Sequence, residues 1–483
     1  MNPFVRVSWA AFFILATACT SNPLSGSTAP ASEHTPEIAI EHVSVIDASN
    51  ASPRLDQTVV VRGNRIVRVA SSRTISLSDD AQRVDARGKF LIPGLFDAHA
   101  HTWYAGIDHR RLFIANGITA IRDPAAPWDH LRVINQWREE IERGKAVGPR
   151  IWATGQPVVG PASQHPWPIK VTDATEARAA VRRLKNEGAD FVKILNRLPP
   201  ESFHAVIDEA KRNDLTVAGH IPRELSARAI AEAGLSVVEH ASLGGLMLAS
   251  ATSEAASRER LLSGTSYLSE LPELLATFDR HQAEGVYRML REHDVAVTPT
   301  VVFFEALAET AEGDPAAVRN DWLRYTPRAY GEIWSRQLGQ LPTDTLSANL
   351  ERSRDALRAM KSAGVKVLAG TDTIKPFLIP GFSLHRELEI MVAAGFSELD
   401  ALEAATRAPA EVLGASDVGL IAEGMLADLV LLDANPLADI SNTQMIHAAF
   451  ANGRLFKRNE LDRMLSEIEQ AAAEWVGEPS TFP

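Results

Sequence analysis

Between Glu37 and Ala70 the apolar positions fall in short runs rich in β-branched residues. "EIAIEHVSVID" and "TVVVRGNRIVRVA" read as strands, the second broken by Gly63-Asn64, a hairpin signal. The same texture returns near the other end in "ADLVLLDANP" (427–436) and "IHAAFANGRLFKR" (446–458), again with an Asn-Gly turn. From about residue 93 to 410 the pattern changes: short apolar runs alternate with stretches of helical period, which predicts parallel β/α units. The runs end at Leu95–His101, Ala120–Asp123, Ile151–Gly155, Phe191–Leu195, Val217–His220, Val237–His240, Val295–Thr300 and Val365–Asp372. Eight such strands close a (β/α)8 TIM barrel, so the expected fold class is α/β with that barrel at its centre. Long helical insertions fall at about 242–293 and 305–355. The second holds Trp322, Tyr325, Tyr330 and Trp334, either core aromatics or the lining of a substrate mouth.

A chain of 483 residues exceeds one ordinary domain, and 45% hydrophobic with 23% charged residues is a globular composition. The net charge of −12 argues against nucleic acid as a partner. At the N-terminus, Arg6, an apolar stretch over 7–18 and the small residues Ala16-Thr17-Ala18 read as a signal peptide over 1–18. Cys19 follows at once and is the only cysteine, which excludes an intrachain disulfide and a thiolate metal cluster. The context resembles the lipobox of bacterial lipoproteins, with Ala16 in place of the usual leucine. It implies lipidation of Cys19 and, alternatively, a plain secreted chain with a chance cysteine. Residues 19–36, rich in Ser, Thr, Pro and Ala, read as a tether. The expectation is an exported protein of the periplasm or cell envelope, held to the outer membrane by its lipid. A homo-oligomer is compatible with the sequence.

Barrel enzymes place their chemistry at the C-terminal ends of the strands, and six residues there stand out. His99 and His101 follow "LIPGLFDA"; an i, i+2 pair on an extended strand aims two imidazoles at one side, although 14 histidines make a chance His-x-His unsurprising. Lys193 lies in "ADFVKILN" on the strand face of Phe191 and Leu195, an expensive place for a cation. His220 and His240 each end an apolar run, one β/α unit apart with "ELSARAIAEAG" as the intervening helix, and Asp372 closes "VKVLAGTDT". Singly, each has a structural alternative: a hydrogen-bonded core histidine, a helix cap or a snorkelling lysine. Their coincidence on one rim favours a site. Neutral imidazoles with a carboxylate suit Zn²⁺ or another borderline divalent ion. His165, in the loop after the third strand, is a candidate substrate contact, and Asp123 and His385 are candidates for supporting roles.

These six positions resemble the metal-binding set of the amidohydrolase superfamily. "IPGLFDAHAH", "GITAIRD", "LAGTD", "SLHRELEIMVAAGFSELDALEAATRAPAEVLG" and "GMLADLVLLDANPLADI" are similar to its imidazolonepropionase-like and metal-dependent prolidase-like branch. The resemblance covers about residues 37–458. It implies a β-sandwich built from both flanks (37–92 and 411–460) around a hydrolase barrel over 93–410, with a C-terminal helix and tail over 461–483. It further implies two divalent ions, with zinc the expected metal, one on His99, His101 and Asp372 and the other on His220 and His240. Lys193, carboxylated by CO₂, would bridge them. Two ions about 3.5–4 Å apart lower the pKa of a shared water towards 7. Asp372 would take the proton from that water and pass it to the leaving amine. The implied reaction is cleavage of an amide C–N bond in a small substrate such as a dipeptide or N-acyl amino acid. A lactone or ester hydrolase would use the same site. A deaminase is a further alternative, although Glu224 follows His220 by four residues, not the three expected of a His-x-x-Glu pair. A non-enzymatic surface binding lipoprotein is the alternative of another class.

Overall fold

The computed structural model describes residues 36–47, 52–103, 107–127, 129–163, 166–243, 245–311, 320–338 and 342–477. The expected signal peptide, Cys19 and His165 lie outside them. The two β-rich flanks join in one eight-stranded sheet. Its order runs Arg454–Lys457, Ile446–Ala451, Leu429–Leu432, Phe90–Pro93, Glu37–Val45, Arg54–Arg62 and Arg65–Ser71, with Gln82–Asp85 also paired to Glu37–Val45. The Gly63-Asn64 turn joins Arg54–Arg62 to Arg65–Ser71 as the hairpin signal requires. The sheet curls on itself: Ile66 N–H donates to Met425 O at 2.9 Å, and Val43, Val59, Leu429 and Phe450 from its two halves share one apolar core. By hydrogen bonding the described strands of both flanks belong to a single sheet.

Between the flanks, strands and helices alternate. Leu95–Asp97, Ile118–Asp123 and Arg150–Ala153 form a parallel three-stranded sheet. Phe191–Ile194, Thr216–Gly219, Val237–Glu239 and Ala296–Thr298 form most of a parallel six-stranded one. The run expected as an eighth strand forms isolated bridges, Val297 with Val367 and Ala100 with Thr373, and Ala98 N–H donates to Ala369 O at 2.8 Å. It thereby ties the end of one sheet to the start of the other without a regular ladder.

Every residue of Phe191–Ile194 is buried, because helices cover one face and other strands the second. Parity then sorts the side chains. Phe191, Ala218, Val237, Ala296 and Leu368 meet Ala98 in a small inner cluster, while Val192, Ile194, Val217 and Val238 pack outward in the main core. Residues two further along the same faces lie at the strand ends, where the polar groups collect. The connecting helices carry their own signals. Ser226 caps Ala227–Ala233 by accepting from Ala229 N–H, and Gly234 (φ 98°) ends it in the left-handed conformation. Such a cap contributes about 1 kcal/mol and fixes the length of the unit separating His220 from His240.

Candidate metal centre

Local structure first explains why six side chains converge. Asp97, fully buried at the end of its strand, accepts from the N–H groups of His99 and Thr371 (both 3.1 Å) and from Thr371 Oγ1 (2.7 Å). One carboxylate thus clamps the turn bearing His99 to the turn bearing Asp372, with Asp372 N–H donating to His99 O at 2.7 Å. Gly370 is required between them, since a Cβ there would lie 2.6 Å from Thr298 Cγ2 and 2.9 Å from His99 N. His240 (φ 65°) and Asp372 (φ 62°) adopt left-handed backbone that a non-glycine residue rarely takes, turning their side chains inward at an energetic cost the surrounding packing offsets.

His99, His101, Lys193, His220, His240 and Asp372 all line one cavity of about 150 Å³, with Trp103, Trp167 and Lys375 among its other walls. Ligand atoms of His99, His101 and Asp372 lie within 4.8 Å of one another. Asp372 Oδ1 is 2.9 Å from His101 Nε2 and 3.4 Å from His99 Nε2. Ring centroids of His99 and His240 are 4.8 Å apart, and those of His220 and His240 5.2 Å. Three Nδ1 atoms are engaged behind the cavity: His99 with Glu239 Oε2 (2.8 Å), His101 with Ala125 O (3.0 Å) and His240 with Thr300 Oγ1 (2.9 Å). Such bonds set ring orientation and leave Nε2 for a ligand.

Electrostatics follow from burial and from one missed residue. Glu239, fully buried, accepts from Arg122 Nη2 with both oxygens (2.8 and 3.0 Å), meets His99, and lies 3.6 Å from Lys193 Nζ. Burial lowers Lys193 to about 8, opposed by Glu239 and reinforced by the charge of Arg122. Lys193 Nζ, itself buried, has no hydrogen-bond partner among the described residues. Burial also keeps His240 neutral, at about 3, and His220 well below its usual value, helped by the Lys193 charge. His101 differs: burial opposes the charge, but Asp123 and Asp372 raise it to about 9. Its two nitrogens face Ala125 O and Asp372 Oδ1, both acceptors. A cation in place of the Nε2 proton satisfies the same carboxylate, and the neutral imidazoles beside it are ready ligands. The donor set of His99, His101 and Asp372 therefore fits a divalent metal, and His220, His240 and the Lys193 amine line the same cavity.

The amidohydrolase family profile matches residues 90–456, about three quarters of the chain. The chain belongs to the amidohydrolase family. It is an enzyme, a hydrolase acting on carbon–nitrogen bonds. This amidohydrolase is 23% identical to the ochratoxinase of Aspergillus niger over 437 residues, covering 76% of this chain and 75% of that protein. Among solved structures, bottromycin amidohydrolase superposes with a TM-score of 0.71 at 22% identity, covering 90% of each chain. A Xaa-Pro dipeptidase with methionine bound in its active site superposes with a TM-score of 0.64 at 22% identity, covering 87% of this chain and 100% of that one. These likenesses establish the TIM-barrel-type fold of the superfamily.

Other expectations fare differently. Asp123 sits behind the amidohydrolase centre, 3.6 Å from His101 Nδ1, and accepts from Thr102 N–H and Oγ1 at 2.9 and 2.6 Å. His385 is remote, its nitrogens meeting Thr443 Oγ1 and Asn116 O. Tyr325, Tyr330 and Trp334 are core, Trp334 packing on Phe377, and the aromatic cavity walls are Trp103 and Trp167 instead. Sequence reasoning missed Glu239, Arg122 and Asp97. The available signal for Glu239 was parity, since it stands two residues past the inward-facing Val237.

Proposed function

We propose that this amidohydrolase is a binuclear, metal-dependent enzyme that cleaves the amide bond of a small substrate such as a dipeptide or N-acyl amino acid. The observation supporting it most is Lys193 Nζ, buried without a hydrogen-bond partner among the described residues, in a cavity shared with four histidines and Asp372. A neutral amine, favoured by the lowered pKa, would add CO₂ with release of one proton, and the resulting carbamate would offer oxygen ligands to metal. His99, His101 and Asp372 would hold one ion and His220 and His240 the other, with zinc the best match to this donor set. Bound there, the ions would supply a water of lowered pKa and polarise the scissile carbonyl. Asp372, lined up beside His99 and His101, takes the proton from the attacking water and delivers it to the departing amine. Glu239 and Thr300 keep the rings of His99 and His240 aimed into the cavity.

The test is a screen of the zinc-reconstituted protein against dipeptides, N-acyl amino acids and matched lactones, with and without chelator. Chelator-sensitive release of amine supports the reading; turnover confined to lactones rejects the amide assignment. We propose in addition that the protein is exported and lipidated at Cys19. Metabolic labelling with a fatty acid should mark the wild type and not Cys19→Ala, and equal labelling of both would reject the anchor.

A further inference from the structure

The space around the six converging side chains does not end at His220. Leu195 and His220 also line an adjoining cavity of about 270 Å³, whose charged wall is Arg197 and Arg223. Unlike Arg122, which is matched to Glu239, neither arginine makes an ion pair among the described residues. Arg223 is half-buried; its Nε is buried with no hydrogen-bond partner among the described residues, and its Nη1 reaches only Leu261 O, at 3.5 Å. Arg197 is exposed and donates to Ala162 O at 3.1 Å. Burial, and after it the neighbouring charge of Arg197, hold Arg223 below its usual pKa.

This arrangement is braced. Arg223 N–H donates to Asn196 O at 2.9 Å, and Arg258 Nη1 donates to the carbonyls of Arg223 (2.6 Å) and Leu225 (2.8 Å). The turn is therefore fixed before any ligand arrives, which limits the ordering cost of binding. A guanidinium with a buried, unmet donor is unfavourable unless a ligand completes it, and planar carboxylates match its fork. The aromatic walls Trp103 and Trp167, whose rings lie 6.2 Å apart, belong to the first cavity and not to this one, so the substrate space has an apolar part and a cationic part.

We propose that Arg223, assisted by Arg197, binds a free carboxylate of the substrate in the cavity beyond His220, so that the enzyme selects anionic amides (N-acyl amino acids or dipeptides with a free C-terminus) over neutral ones. This rests on the amide-hydrolase reading above and names its substrate class.

The experiment uses matched pairs that differ only in that carboxylate: N-acetyl-L-amino acids and glycyl dipeptides against their C-terminal carboxamides, assayed on the metal-loaded full chain. Calorimetry of the corresponding non-hydrolysable phosphonate acids and carboxamides provides a binding readout. Wild type should favour the acid by about 10- to 100-fold in kcat/KM and in affinity, the range of a charge-assisted hydrogen bond, chiefly through KM. In Arg223→Leu that ratio should fall close to one, with Arg223→Lys intermediate. Arg197→Leu, at an exposed position, should lower the ratio without endangering the fold. Equal use of acid and carboxamide by wild type, or an unchanged ratio in both leucine variants, overturns the carboxylate proposal and leaves amide hydrolysis standing. Absence of both hydrolysis and binding for every pair overturns the amide-hydrolase reading and this proposal together.

Discussion

Replacing Glu239 with Gln tests whether the centre is organised from behind. Both carboxylate oxygens are committed: Oε1 to Arg122 and, more distantly, Lys193, and Oε2 to His99 and Arg122. Glutamine keeps the shape but offers one oxygen, so its NH₂ must face a donor of Arg122 or His99 in a site with no exposure to water. Arg122 then stays buried with its charge uncompensated, since its other bonds, to Ala98 O at 2.6 Å and Thr298 Oγ1 at 3.2 Å, are to neutral groups. Breaking a buried pair from one side costs about 3–5 kcal/mol. Where the NH₂ faces His99 instead, that ring loses the acceptor that orients it, which lowers metal affinity by about 10- to 100-fold. Urea unfolding of metal-free protein measures the first effect, and chelator competition on folded protein the second. A Glu239→Gln protein within about 0.5 kcal/mol of wild type, the range of an inert surface change, with undiminished metal affinity, would refute the reasoning.

Asp372→Asn keeps size and removes the proton acceptor; kcat should fall by at least about 10²-fold, and near-normal turnover would reject its assigned role. Glu387 is buried, and burial together with the charges of Glu305 and Asp97 pushes it up to about 8, despite the Val301 and Val302 N–H groups that donate to it. Its folded pKa exceeds the usual 4.5, so its contribution to stability is fully present below about pH 4.5 and is lost as pH rises through 8. Glu387→Gln, which cannot ionise, should therefore gain on wild type in urea midpoint between pH 4.5 and 8; parallel curves would contradict this.

Much of the centre was legible in the sequence because its ligands end apolar runs. A parallel strand buried on both faces is a nearly continuous hydrophobic segment, so the polar residue where it stops is conspicuous, as with His220, His240 and Asp372. Glu239 and Arg122 were not legible for the opposite reason. They sit inside such segments, and what makes their burial tolerable is mutual contact across 117 positions of chain, which no local pattern encodes. Asp97 likewise works by bonding to Thr371, a neighbour only in the fold. The last expected strand misled in detail because its apolar pattern survives while its backbone turns at Asp372 to aim the carboxylate. Arg197 and Arg223 look like ordinary solvated charges in sequence, and only their shared cavity marks them out.

Metal content per chain, measured by plasma mass spectrometry on purified protein, bears most directly on the claim of a lysine-bridged binuclear centre. Wild type should carry two divalent ions. Lys193→Ala should lose one or both together with activity, and formate, acetate or propionate added with metal should restore part of that activity while doing nothing for His99→Ala. Two ions and full activity in untreated Lys193→Ala would contradict the account.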